Sequence, residues 1–134
     1  MKFSWKYVLL LVLVIIVVFV GTSYLPHRLI HKAAEVSKII IFNGGTGVEL
    51  ELTNKDDIEH IINNLRGITF QKGKSSFGYM GFSFKTTVYD KKGKPVKQLI
   101  INSEDTVRYK GYFYKAKGSL IDYTYIKKKF EKLN

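Results

Sequence analysis

Gly73-Lys74-Ser75 has the residue types that close a phosphate-cradling loop, in which backbone N–H groups and a lysine wrap the anion. That loop needs a glycine five positions before its Gly-Lys pair and a helix after it; Gly67 stands one position too far back, and a strand is expected next. A surface loop is the expectation. Lys110-Gly111-Tyr112-Phe113-Tyr114 sets rings beside a basic residue, as the base-stacking strand of an RNA-binding sheet does, but Phe113 fills a small-residue position and lysines occupy 115 and 117. Tyr112 and Tyr114 against Phe113 is the alternation of any half-buried strand. No nucleic acid is expected as a partner.

His27, His31 and Glu35 recur every four residues, so a helical stalk would align three metal ligands, yet Arg28 and Lys32 flank them and repel a cation. The rest of the chain has a single histidine, His60, and no serine in a G-x-S-x-G setting. Glu49 and Glu51 share a strand face, as paired acids in glycosidases do, but exposed adjacent acids mostly serve solvation. No catalytic, cofactor-binding or metal-binding residue is assigned, no cofactor is expected, and an envelope enzyme built on Glu49, Glu51, Asp56 or His60 is the remote alternative. The absence of cysteine excludes disulfides, thiol catalysis and lipidation of an N-terminal cysteine.

Charge is the dominant chemical feature. The 134 residues carry 22 Lys+Arg against 11 Asp+Glu, a formal net charge of +11, and only Lys2 and Lys6 precede the apolar N-terminal run. Basic residues gather around one turn (Lys91, Lys92, Lys94, Lys97), along a hairpin (Arg108, Lys110, Lys115, Lys117) and on a terminal helix (Lys127, Lys128, Lys129, Lys132). Lys91, Lys92, Lys94, Lys97, Arg108, Lys110, Lys127, Lys128, Lys129 and Lys132 are the candidate contacts to a polyanion, either anionic lipid headgroups or a phosphate-rich wall polymer.

Residues 1–25 predict a transmembrane signal anchor. Tyr7 to Val20 is unbroken by any polar residue, and counting on to Leu25 gives about 28 Å of helix at ~1.5 Å per residue, close to a bilayer core of ~30 Å. Trp5 and Tyr24 would lie at the two interfaces. An uncleaved anchor is expected, with cleavage near Gly21-Thr22-Ser23, and hence secretion, as the alternative. Lys2 and Lys6 on one side are nearly balanced by Arg28, Lys32 and Lys38 on the other, so charge barely sets the direction; the short lead before a signal-like core resembles that of exported proteins, and by that resemblance the domain is expected outside the cell.

Residues 26–36 are expected to form a juxtamembrane stalk, with Leu29, Ala33 and Val36 at helical spacing, and residues 37–134 a basic extracytoplasmic domain. Ser37–Phe42 and Val48–Leu52 predict a hairpin around Asn43–Gly47. Thr53 or Asn54 starts a helix whose Ile58, Ile61, Ile62 and Leu65 share one face and which Gly67 stops. Short strands follow at Ile68–Lys72, Phe82–Tyr89, Val96–Asn102, Thr106–Lys110 and Tyr112–Ala116. Ser119, three before Asp122, has capping-box spacing for a last helix with Tyr123, Ile126, Phe130 and Leu133 on one face. The fold class is α+β: an N-terminal transmembrane or signal-anchor helix, then a small antiparallel sheet of about 6–7 short strands with two helices on one face.

The run Thr53-Asn-Lys-Asp-Asp-Ile-Glu-His-Ile-Ile-Asn-Asn-Leu65, with Asp105-Thr-Val-Arg-Tyr-Lys-Gly-Tyr-Phe-Tyr114 and the terminal helix, resembles a family of small exported or membrane-anchored domains of unknown function from low-GC Gram-positive bacteria. The likeness spans residues 37 to 133. It implies a cell-envelope setting and an α+β domain, and brings no catalytic or binding residues with it. Many lipoproteins with similar domains carry a lipidated cysteine, which this chain lacks, so the helix must serve as anchor. The expected function is a membrane-anchored, extracytoplasmic interaction module with a protein partner still to be identified. Binding of wall polymer or lipid headgroups and an immunity-type role are the alternatives.

Overall fold

The computed structural model describes residues 2–31 and 35–133. Helix α1 (Trp5–Ser23) is followed by β1 (Val36–Asn43), β2 (Glu49–Leu52), α2 (Lys55–Arg66), β3 (Thr69–Ser75), β4 (Phe84–Asp90), β5 (Pro95–Ile101), β6 (Thr106–Tyr109), β7 (Tyr112–Lys117) and α3 (Tyr123–Glu131). The seven strands form one antiparallel sheet in the order β2-β1-β4-β5-β6-β7-β3. The α+β architecture is therefore as the sequence predicts.

Alternation decides the faces. Ile39 opposes Leu52 and Val88, Ile41 opposes Leu50 and Thr86, and Phe84 opposes Ile101, so these side chains share one face of the sheet. Both helices cover that face: Ile58, Ile61, Ile62 and Leu65 of α2 and Ile126 and Phe130 of α3 join the same buried cluster, with Phe130 stacked on Phe84 at 5.3 Å. Burial of this face is the main stabilising term of the domain.

Helix α2 begins where the sequence predicts. Asn54 caps it by accepting from the Asp56 N–H at 2.8 Å, and Asp56 and Asp57 occupy its positive first turn. For α3 the expected cap is wrong by three residues: Asp122 itself caps the helix through the Tyr125 N–H, because Ile121 is pulled into the core ahead of it.

An ionic clamp joins the two helices. Asp57 accepts from Lys129 Nζ at 2.6 Å and from the Tyr125 hydroxyl at 2.5 Å. Lys129 and Tyr125 together outweigh burial and hold the Asp57 carboxyl below its usual pKa, while the carboxylate raises those of Lys129 and Tyr125. A lowered acid stabilises the fold above its unfolded pKa of about 3.9, and that stability is lost as pH falls through the lower folded value. The raised Lys129 and Tyr125 contribute below about pH 10 and lose their contribution as pH rises. Asp57→Asn is expected to cost about 1.5–3 kcal/mol near neutrality and to flatten the acid limb below pH ~4. Urea melts of the full chain in detergent from pH 2 to 7 check this; an unchanged acid limb would refute it.

The helical stalk is corrected by the structure. Pro26 cannot continue a helix with normal hydrogen bonding, and His27 instead pairs with Phe70, each N–H donating to the other's carbonyl at 3.0 and 2.8 Å. Leu29 and Ile30 are buried in the domain core. The expected helical alignment of His27, His31 and Glu35 does not form, and Lys32 to Ala34 of the expected stalk lie outside the described residues.

The surface loop expected at Gly73-Lys74-Ser75 starts later, because β3 runs on to Ser75 past a bulge after Lys72. Residues 76–83 then cross the sheet face opposite the helices as a strap. Its start is fixed by the Ser76 N–H on the Gly111 carbonyl, its middle by Tyr79 edge-on to Phe113 at 5.0 Å, and its end by Phe82 against Phe42. Gly44 is required beneath that end. A Cβ there would meet the Phe82 carbonyl oxygen at 2.4 Å.

Candidate functional site

The register of the short pairing at His27 decides where α1 leaves the domain. Because His27 runs antiparallel to β3, the residues before it lie alongside the later part of that strand: Gln71 Nε2 donates to the Tyr24 carbonyl, and Lys72 Nζ sits over the Tyr24 ring at 5.0 Å and the Tyr112 ring at 3.9 Å. Tyr112 opens β7 opposite Ser75, so this is the end of the sheet that carries the β6–β7 turn. The β4–β5 turn is at the same end, since Tyr89 pairs with Pro95 across it.

Five of the candidate basic residues gather there. Lys91, Lys92 and Lys94 stand on the β4–β5 turn, which Asp90 ties by accepting from the Lys92 and Lys94 N–H groups at 2.9 Å each. Lys97 and Lys110 converge on one phenol: Lys97 Nζ donates to the Tyr109 hydroxyl at 3.1 Å, and Lys110 Nζ lies 5.3 Å from the Tyr109 ring centre. Lys110 reaches that position because it takes a left-handed conformation, φ 47°, before Gly111 at φ 82°, in the two-residue turn joining β6 and β7. Non-glycine residues avoid this region, so the turn holds Lys110 in place at a conformational cost. Burial pushes the Tyr109 phenol up, but the hydrogen bonds and charges of Lys97 and Lys110 outweigh it and leave its pKa below the usual tyrosine value.

Neither lysine has an acidic partner within ion-pair distance among the described residues, where the pairs are Lys55–Glu59, His60–Asp122, Lys115–Asp105 and Lys129–Asp57. An open concavity of about 730 Å³ adjoins them, lined by residues that include Thr87, Tyr89, Val96, Lys97, Tyr109 and Lys110.

The other candidates are placed elsewhere. Arg108 is 8% exposed, and its guanidinium donates to the Tyr79 carbonyl at 2.9 Å, to the Gly81 carbonyl and to Asn102 Oδ1 at 3.4 Å, clamping the strap to the sheet. Lys129 belongs to the clamp with Asp57. Lys127 lies at the opposite end of the sheet, over the β1–β2 turn, where it lines a concavity with Asn43, Thr46 and Val48. Lys128 and Lys132 follow it on α3 and at its C-terminal end. Ten residues grouped by sequence thus divide into one convergent cluster, two structural cations and a separate helix face.

His60 has an acid after all. Its Nε2 is 2.8 Å from Asp122 Oδ2, and its ring stacks on Tyr125 at 3.7 Å. The imidazole lowers the Asp122 pKa, yet the other oxygen of that carboxylate caps α3, and among the described residues no side chain hydrogen-bonds the remaining ring nitrogen. The pair staples α2 to α3. Glu49 and Glu51 point outward from edge strand β2. Among the described residues no group of His, Asp and Glu side chains could hold a metal ion.

Sequence grouping missed Tyr24, Lys72 and Tyr109 as neighbours of the basic cluster. The available signal was the excess of tyrosine next to lysine; which tyrosine meets which lysine depends on strand order. The fold and site define a small α+β domain with a basic, tyrosine-rich sheet end from which an apolar helix departs. Compared with known proteins, the chain matches no family model, no curated sequence and no solved structure.

Proposed function

We propose that the chain is a membrane-anchored interaction module, its basic domain held by α1 at the extracytoplasmic face of a bacterial membrane of Gram-positive type. The observation that carries this reading is α1 itself: 19 residues of mean hydropathy 2.5 with no residue buried. A helix apolar all round needs lipid or protein to cover it, and its length matches a bilayer core. His27 is already paired to β3, so the domain sits within a few residues of the helix end. An interaction role is favoured over catalysis because His60 and Asp122, the one pairing with a catalytic look among the described residues, are engaged in joining α2 to α3.

Anchoring and sidedness are tested together. The chain has no cysteine, so a single Glu104→Cys substitution gives a unique label in an exposed turn. The full chain is expected to stay with membranes through alkaline carbonate extraction, and the thiol introduced at position 104 to react with a membrane-impermeant reagent on intact cells. Release by carbonate would sink the anchor, and labelling only after lysis would reverse the sidedness.

A further inference from the structure

The cluster at the α1 end of the sheet combines three features in one place: converging lysines without acidic partners among the described residues, tyrosine rings, and an exposed apolar side chain. Tyr24, Tyr109 and Tyr112 present phenols beside Lys72, Lys97 and Lys110. Ser76 is bonded to the Gly111 turn, and the next residue, Phe77, is 94% exposed. Its position is fixed, with its N–H on Ser75 Oγ at 3.2 Å and Gly78 in a left-handed turn after it.

Tyrosine with lysine is the composition that partitions to the boundary between acyl chains and headgroups, where rings sit at headgroup depth and ammonium groups reach phosphate. The continuity of this end with α1 matters most, because α1 delivers it to a lipid surface before any other surface of the domain. We propose that the Lys97–Tyr109–Lys110 cluster binds the phosphate of an anionic lipid in the same membrane that α1 crosses, with Phe77 entering the headgroup layer beside it. The proposal rests on the anchoring reading above and names the partner of that end of the domain. The two ammonium groups flank the phosphate, the Tyr109 hydroxyl donates to it, and the Lys91, Lys92 and Lys94 turn adds long-range attraction.

The test uses the full chain carrying Phe77→Cys with an environment-sensitive fluorophore, reconstituted into vesicles of phosphatidylcholine alone or with about 30% phosphatidylglycerol, enough to give the surface a negative potential. Flotation with both vesicle types reports the anchor, and loss of flotation would refute the anchoring reading separately. With flotation intact, the label is expected to shift to the blue and resist an aqueous quencher only in phosphatidylglycerol vesicles, and to revert at high salt. A Glu104→Cys label at the opposite end should stay aqueous in both.

Lys97→Gln with Lys110→Gln is expected to lower the docked-to-undocked ratio about thirtyfold, while Lys127→Gln with Lys128→Gln, an equal charge change at the far end, leaves it unaltered. Matching thermal melts establish that both pairs fold. A label at position 77 indifferent to phosphatidylglycerol, an equal response to the two double substitutions, or a shift produced only by soluble poly(glycerol phosphate) would overturn the proposal.

Discussion

Phe70→Ala is expected to destabilise the domain by about 3–5 kcal/mol, the usual range for emptying a buried phenylalanine site. Phe70 is 1% exposed and sits on β3, an edge strand of the sheet whose outer side pairs, among the described residues, only with His27. Its side chain lies opposite Ala116, a small residue, so the ring fills space that its cross-strand neighbour leaves. Removing it opens a cavity that the sheet cannot close without moving β7. Its backbone is also the docking point of the chain leaving α1, so loosening β3 should free residues 24–30 as well. Two measurements check this: a urea midpoint for the full chain in detergent, and hydrogen exchange at His27 and Phe70, which should accelerate together. Unchanged exchange at His27 would mean that the pairing does not depend on the Phe70 side chain.

Arg108→Ala is expected to cost about 2–3 kcal/mol, an amount set by charge-assisted hydrogen bonds of ~1.5–3 kcal/mol each and moderated because water can reach the freed carbonyls. The guanidinium holds the strap at two points, through the Tyr79 and Gly81 carbonyls, while lying over the Phe113 ring at 5.7 Å. Among the described residues its Nε has no hydrogen-bond partner, so the site is not fully satisfied and the loss falls short of the sum of its bonds. Lysine cannot reproduce the fork, and Arg108→Lys should recover only part of the stability. Opening of the strap frees its backbone to enter the chymotrypsin cleft at Phe77 and Tyr79, whose side chains are already exposed, and cleavage there should speed up by a factor on the order of tenfold to a hundredfold. Wild-type cleavage rates in Arg108→Ala would show that the strap is held by Tyr79 and Phe82 packing instead.

These two residues mark the limits of pattern reading. Phe70 is legible as part of a short strand, because Ile68, Phe70 and Lys72 alternate with Thr69 and Gln71. That it anchors the chain emerging from α1 is not. Arg108 stands in a basic group along a hairpin, and its charge suggests solvent. A strap 29 residues away in sequence supplies the carbonyls that draw it inward, and no local periodicity reports a partner at that distance.

The candidate site shows the same division. Lys91, Lys92 and Lys94 are close in sequence and remain close on one turn. Lys97 and Lys110 come together because β6 pairs with β5 and then turns at Lys110-Gly111, which brings both lysines to the Tyr109 phenol. Lys127 belongs to an equally basic run in the sequence, yet α3 carries it to the other end of the sheet.

By itself the sequence determined what a single element can express. A run of apolar residues makes α1 a helix fit for a bilayer, the spacing of Ile58, Ile61, Ile62 and Leu65 makes α2 amphipathic, and alternation with turn residues makes the β4–β7 meander. Only the tertiary structure decided that Leu29 and Ile30 enter the core in place of a stalk, that Asp122 caps α3, that Arg108 and Lys129 serve as internal clamps, and that the helix leaves from the basic end of the sheet. Periodicity fixes which side of an element is buried. The order of strands in the sheet fixes which charges meet, and that order arises from packing between segments far apart in the chain.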